Sequence, residues 1–195
     1  MAAGRGDGID LDSAERWAIE GLTDPIAFFA HLDRLIPGDS VLYFEGCSVV
    51  PEVSRFFEVH RASIAVCVVR DTIFPVPETY HVSLEKDPLP SLRNLLQEHS
   101  RNGCFDHLKA YREGKLLFTF HDAFDEGAVL LVSDQVEGEL VKSFAARLNG
   151  TVSREKNVNK RDPEQLRRLL WMMENPDKLR MNWPWWKKAL LFWKR

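Results

Sequence analysis

The chain has 195 residues, 45% of them hydrophobic and 28% charged, a composition typical of one globular domain with an extension. No window approaches the roughly 20 apolar residues of a membrane span, and the first residues lack an apolar core, so we expect neither a signal peptide nor a membrane anchor. The three cysteines show no CxxC spacing, which argues against a disulfide scaffold and predicts reduced thiols in a cytoplasmic protein.

Charge divides the chain unevenly. Residues 154–195 carry 12 Lys/Arg and 5 Asp/Glu, a net charge of +7, which leaves 14 and 24, or −10, for residues 1–153. Five of the six tryptophans also lie in residues 154–195. An asymmetry of this size bears on binding partners rather than on fold. We therefore expect a flexible segment (1–21), a core domain (22–153) and a basic, Trp-rich helical tail (154–195).

The N-terminal third predicts helices that lead into a strand. Asp12 or Ser13 is a candidate N-cap for a short helix that reaches about Glu20. A second helix begins where Asp24 precedes Pro25, since an N-cap residue followed by proline marks a helix start.

The stretch from Asp39 to Asp71 organises the predicted fold. Residues 41–45 form a strand, Pro51 opens a helix, and residues 63–70 contain a continuous apolar run that is typical of a strand covered on both faces. These elements predict a βαβ unit. The fold class is accordingly α/β, a mixed sheet built on a central βαβ unit with flanking helices, plus a helical C-terminal extension.

The rest of the core domain alternates strands and helices. Apolar and polar residues alternate over residues 79–84, which predicts a half-buried strand. Two aromatic-rich runs separated by a six-residue loop predict a hairpin. The further predicted elements are a helix from Ser91, a short helix over 105–112, hairpin strands over 115–121 and 128–133, a helix after Asp134, and a short strand from Thr151.

The turn after the first predicted strand is the candidate catalytic position. Ligands bind outside the carboxyl ends of strands in parallel sheets, close to helix N-termini. Cys47 there is a candidate nucleophile, with Ser48, Glu45 and Asp71 at the same edge. The turn lacks the spacing of a nucleophile elbow and the glycines of a phosphate loop, so a structural cysteine is the preferred interpretation. A small hydrolase or transferase is the alternative function.

The six histidines show no HxH, HxxxH or HExxH arrangement, so the sequence predicts no metal site and no cofactor. His121 precedes three acidic residues, Asp122, Asp125 and Glu126, but their spacing does not match a calcium loop. A solvated turn is the preferred interpretation of this cluster.

Residues 183–195 form the most informative segment for function. At about 100° per residue, its aromatic and aliphatic side chains fall mainly on one arc and its basic side chains outside that arc. Indole area combined with lysine suits a groove on another protein or a lipid headgroup boundary. The candidate partner-binding residues are Trp183, Trp185, Trp186, Lys187, Lys188, Leu190, Phe192 and Trp193.

The sequence leaves several functions open for this segment. We place first a non-catalytic protein-interaction module that binds a partner or forms a homodimer through the tail. Docking of the tail on its own domain is the competing interpretation, because exposed apolar patches of this size are rare on soluble monomers. Peripheral membrane attachment is a further alternative. Nucleic-acid binding is disfavoured by the acidic body.

Overall fold

The computed structural model describes residues 15–65, 68, 70–72, 75–99 and 103–156. Among the described residues, its framework is a seven-stranded sheet in which all six pairs of neighbouring strands are antiparallel. The strand order is β3-β2-β4-β5-β6-β1-β7. The strands are β1 Glu15–Glu20, β2 Val41–Gly46, β3 Glu78–Ser83, β4 His107–Arg112, β5 Lys115–Phe120, β6 Val129–Ser133 and β7 Thr151–Lys156.

The helices begin where the sequence provides start signals. Asp24 caps the first helix, since its Oδ1 accepts hydrogen bonds from the backbone N–H groups of Ile26 and Ala27 at 2.9 and 3.0 Å. Pro51 occupies the first turn of the second helix, where its missing N–H costs nothing. The helices are α1 Pro25–His31, α2 Pro51–Val59, α3 Leu89–Glu98 and α4 Gly138–Arg147, and a 3₁₀ turn, Leu32–Arg34, follows α1.

All four of these helices pack on one face of the sheet, where they bury the main hydrophobic core. Phe28 of α1 lies at its centre, within 6.1 Å of five other phenylalanine rings by centroid distance. Alternate residues of each strand point into this core, for example Leu42 and Phe44 of β2. The residues between them therefore face the opposite side of the sheet. In the described part of the chain, no helix is long and apolar enough to cross a membrane.

The segment that joins α2 to β3 runs over the opposite face. We call its described residues within 63–77 the crossing segment. Its Val68 is buried in a small apolar cluster with Tyr43, Tyr111 and Leu116, which come from β2, β4 and β5. The crossing segment therefore covers part of a sheet face that the helices leave open.

The predicted βαβ unit is wrong, and with it the α/β fold class. The two neighbours of β2 are β3 and β4, both antiparallel to it, so no parallel strand lies beside β2. Ile64, in the predicted parallel strand, is 79% exposed, which is incompatible with cover on both faces. The apolar run was misleading because covering the open sheet face also requires apolar residues, without requiring a strand.

Two predicted helices are strands. Residues 15–20, assigned to a short helix within a flexible segment, form β1 in the interior of the sheet. Residues 107–112, also assigned to a helix, form β4. The helix that starts at Pro25, the hairpin of β5 and β6, and the strand from Thr151 are confirmed. The predicted helical tail lies outside the described residues, which end three positions beyond the predicted boundary at 153.

Candidate functional site

A group of polar and ionisable side chains lies between the open sheet face and the crossing segment. Its centre is Glu45, which is 0% exposed. Glu45 Oε2 accepts hydrogen bonds from the Asp71 N–H at 3.0 Å and the Tyr43 hydroxyl at 3.1 Å, and Oε1 accepts one from the Thr72 N–H at 2.6 Å. We call Tyr43, Glu45, Asp71, Thr72, His107 and Lys109 the Glu45 cluster.

These hydrogen bonds keep Glu45 ionised. Burial alone would raise the pKa of its carboxyl, but the bonds from the Thr72 and Asp71 N–H groups and from Tyr43 outweigh burial and lower it. Burial and the neighbouring Glu45 charge raise the pKa of Tyr43 far above its usual range. A neutral phenol therefore donates to a charged carboxylate, an arrangement that is stronger than a neutral pair.

An ion pair ties the same part of the crossing segment to β4. Lys109 Nζ lies 2.9 Å from Asp71 Oδ1, and only 6% of the lysine side chain is exposed. A charge this deeply buried needs its partner, because removing one member of a buried pair leaves the other uncompensated. Asp71 thus makes two contacts with the sheet: its backbone N–H donates a hydrogen bond to Glu45, and its carboxylate forms an ion pair with Lys109.

His107 extends the network toward the loop after β5. Its Nδ1 accepts the Asp122 N–H at 2.9 Å, so the neutral imidazole carries its proton on Nε2. Nε2 lies 2.8 Å from the Thr72 hydroxyl oxygen, and that hydroxyl bonds to the Glu45 carboxylate. The result is a continuous path of hydrogen bonds from Asp122 to Glu45.

The sequence-predicted catalytic residues separate into two groups. Glu45 and Asp71 lie together in the Glu45 cluster. Cys47 and Ser48 lie beyond the strand end and are exposed. The Cys47 N–H donates to Asp106 Oδ2 at 2.8 Å. Desolvation and the negative charge of Asp106 raise the pKa of the Cys47 thiol, whereas an activated nucleophile needs a lowered one.

Sequence reasoning missed Tyr43, Thr72, His107 and Lys109. The last two were hidden by the assignment of residues 105–112 to a helix. A period of two would have found them, since His107, Lys109 and Tyr111 alternate with the core residues Leu108 and Ala110. Thr72 follows the misassigned apolar run, and nothing in the sequence marks it as a partner of Glu45.

The hollows found among the described residues lie away from the Glu45 cluster. Two open hollows, of about 480 and 390 Å³, are lined by helix residues and their flanks, and no member of the cluster lines either of them. Pro37 and Leu140 border the first hollow, and Phe56 and Leu95 border the second. The paired atoms of the cluster fasten the crossing segment to the sheet. Chemically, these contacts stabilise the packing of the crossing segment on the sheet.

One group of side chains in the described residues could hold a metal ion, and it shares His107 with the Glu45 cluster. It consists of His107, His121 and Asp122. The candidate partner-binding residues between Trp183 and Trp193 lie outside the described residues. Comparison of the chain with protein-family models, with curated proteins and with solved structures finds no match.

Proposed function

We propose that the chain is a non-catalytic interaction module whose basic, Trp-rich C-terminal segment, residues 183–195, binds a second protein surface. The observation that carries this proposal is the concentration of five of the six tryptophans and a net charge of +7 in residues 154–195. Tryptophan is among the residue types that dominate binding energy in protein interfaces, and complementary charge speeds the encounter of two partners. We place the protein in the cytoplasm because its three cysteines show no CxxC spacing and are predicted to be reduced.

The state of the ionisable groups on the sheet supports a non-catalytic role. The carboxylate of Glu45 and the ammonium of Lys109 are both engaged in hydrogen bonds inside the protein. The raised pKa of Cys47 leaves its thiol protonated at neutral pH. The internal hydrogen bonds of Glu45 and the raised pKa of Cys47 thus support the non-catalytic proposal over the hydrolase or transferase alternative.

A second copy of the chain is the partner that we propose first. Each copy carries complementary charge, +7 in residues 154–195 and −10 in residues 1–153. Four tryptophans of about 150–250 Å² each offer roughly 600–1,000 Å² of surface, comparable to the area that one partner contributes to a standard interface. The segment is therefore large enough to close a specific dimer.

Light scattering on the full chain tests the proposal. Replacement of Trp185 and Trp193 by alanine should convert the assembly to a monomer without lowering the melting temperature of that monomer. The matched control replaces the same two residues by phenylalanine, which retains aromatic area and should keep most of the assembly.

A monomer at all concentrations whose melting temperature falls by many degrees in the alanine variant would contradict the proposal. The tryptophans would then stabilise their own chain. Flotation with vesicles of phosphatidylglycerol and phosphatidylcholine distinguishes the membrane alternative. If flotation requires residues 183–195 while the chain in solution stays monomeric, the segment binds lipid rather than protein.

A further inference from the structure

Potential metal ligands meet where β4 begins and β5 ends. His107 is the first residue of β4, and His121 and Asp122 directly follow β5. The antiparallel register pairs Leu108 with Phe120, which brings the adjacent histidines opposite each other. Their ring centroids lie 4.2 Å apart with the planes at 79°. Backbone pairing therefore holds the two imidazoles together.

Asp122 supplies a carboxylate to both imidazoles. Its Oδ1 lies 3.5 Å from His107 Nδ1 and its Oδ2 lies 3.2 Å from His121 Nδ1. One ligand atom from each residue falls within 4.8 Å of the other two. Zinc bonds of about 2.0–2.1 Å at tetrahedral angles set neighbouring ligand atoms about 3.3 Å apart. The distances from the two Asp122 oxygens to the imidazoles are close to that value, and the ligand atoms, which all lie within 4.8 Å of one another, must move closer together to enclose an ion.

The Glu45 cluster orients the imidazole of His107 through a hydrogen bond, as the neighbours of metal-binding histidines do. The side chain of His107 is only 5% exposed, and its Nε2 is bonded to the Thr72 hydroxyl. Metal-binding histidines almost always use their second nitrogen in this way, which fixes the ring and leaves the other nitrogen unprotonated. Here that other nitrogen is Nδ1, on the side of Asp122.

A metal ion must displace one existing hydrogen bond. The Asp122 N–H now donates to His107 Nδ1, and one lone pair cannot serve both the N–H and a metal. Asp122 lies in a turn with φ 44°. Its side chain is 60% exposed, and the side chain of His121 is 59% exposed. The loop side of the group thus faces solvent, while its His107 side is buried in the sheet.

We propose that His107, His121 and Asp122 form a binding site for a zinc-like divalent cation, which displaces the Asp122 N–H from His107. Two imidazoles and one carboxylate suit zinc, nickel or cobalt, whereas magnesium and calcium prefer oxygen ligands. Three protein ligands leave a coordination position for water. The bound ion ties the loop between β5 and β6 to the start of β4. This site does not depend on residues 183–195.

Calorimetric titration of the chelator-treated full chain with zinc chloride tests the site. We expect one zinc ion per chain and no comparable binding of magnesium chloride. His121→Ala and Asp122→Asn should each weaken zinc binding by about tenfold or more. Both side chains are exposed, so these substitutions leave the core intact. Glu126→Gln, an exposed acid in the same loop, is the matched control and should bind zinc as the wild type does.

Two further readouts locate the ion. Zinc should shift the backbone amide resonance of Asp122, because its hydrogen bond to His107 is lost. Thr72→Val should weaken zinc binding by about 10- to 100-fold, and Thr72→Ser, which retains the hydroxyl, should restore it. Zinc binding that is unchanged in both His121→Ala and Asp122→Asn would overturn the proposal, as would the absence of a one-to-one zinc complex.

Discussion

At Glu45, a charged side chain is fully buried on a sheet face that no described helix covers. Its carboxylate takes the place of a strand partner, because it accepts hydrogen bonds from two consecutive backbone N–H groups, those of Asp71 and Thr72. Unpaired buried N–H groups would each cost about 1–3 kcal/mol. Glu45 thus supplies the hydrogen-bond acceptors that the Asp71 and Thr72 N–H groups would otherwise lack, because this part of the crossing segment does not pair as a strand.

Glu45→Gln tests this role at the level of one residue. The amide places an NH₂ group opposite an N–H donor, and we expect the free energy of unfolding at neutral pH to fall by about 2–3 kcal/mol. The pKa of Glu45 is lowered from its ordinary value of 4.5 in the folded state. The stability that the charge provides is therefore present above that value and is lost as the pH falls through the folded pKa.

Urea unfolding over a range of pH measures both the loss of stability in Glu45→Gln and its dependence on pH. The difference between wild type and Glu45→Gln should narrow as the pH falls below about 4, since Glu45 itself becomes protonated. Glu126→Gln, on the exposed loop, is the control and should behave as the wild type. Equal stability of Glu45→Gln and wild type at neutral pH would show that the two N–H groups find other partners.

Cys47 gives a second test at the residue scale. Desolvation and Asp106 raise the pKa of its thiol, so we expect iodoacetamide to alkylate Cys47 more slowly at neutral pH than it alkylates free cysteine. Mass spectrometry of the Cys47 peptide provides the rate. Alkylation faster than that of free cysteine would instead favour the enzyme hypothesis, because it would reveal an activated thiolate.

Among the elements, β1 and α4 make a contact that depends on a missing side chain. A Cβ at Gly138, the first residue of α4, would lie 2.6 Å from Cζ2 of Trp17. Trp17 is partly buried against the main core, so its rigid ring cannot simply turn aside. The absence of a side chain at Gly138 allows α4 to begin directly on the indole.

Gly138→Ala should therefore be destabilising, although glycine to alanine usually favours a helix by roughly 0.5–1 kcal/mol. We expect overpacking to dominate and the free energy of unfolding to fall by about 1–3 kcal/mol. Denaturant unfolding provides the measurement. Gly38→Ala, where an added Cβ meets nothing within 4 Å, is the control. Unchanged or raised stability of Gly138→Ala would contradict the observed packing.

Element prediction succeeded where local signals decide structure. Asp24 and Pro25 mark the start of α1, and the turn-rich loop between β5 and β6 marks their hairpin. It failed for β1 and β4, which are six residues long. In β4 the alternation of His107, Lys109 and Tyr111 with core residues was present but was assigned to a helix, whereas in β1 only pairing with neighbouring strands decides the structure.

At the scale of the whole molecule, the sequence could not supply strand order. β1 lies between β6 and β7, at least 109 residues away from its first partner along the chain. Such pairing depends on sheet-wide burial and not on local pattern. The Glu45 cluster was equally hidden, because Glu45 and His107 become neighbours only through the antiparallel pairing of β2 with β4.

The charge division between residues 1–153 and 154–195 is also a property of the whole chain. It supports the proposed interaction through residues 183–195, and its effect should weaken as salt screens the charges. The described domain is built on an antiparallel sheet of seven strands. We therefore propose, above the alternatives, that residues 183–195 bind a second protein surface.

Hydrogen exchange of the full chain at low and high protein concentration tests this binding most directly. Peptides that cover residues 183–195 should gain protection as the concentration rises and the chains associate. Peptides from β2 and β4 should exchange at the same rate in both samples. Protection of residues 183–195 that is complete in the dilute monomer and does not change with concentration would contradict the account.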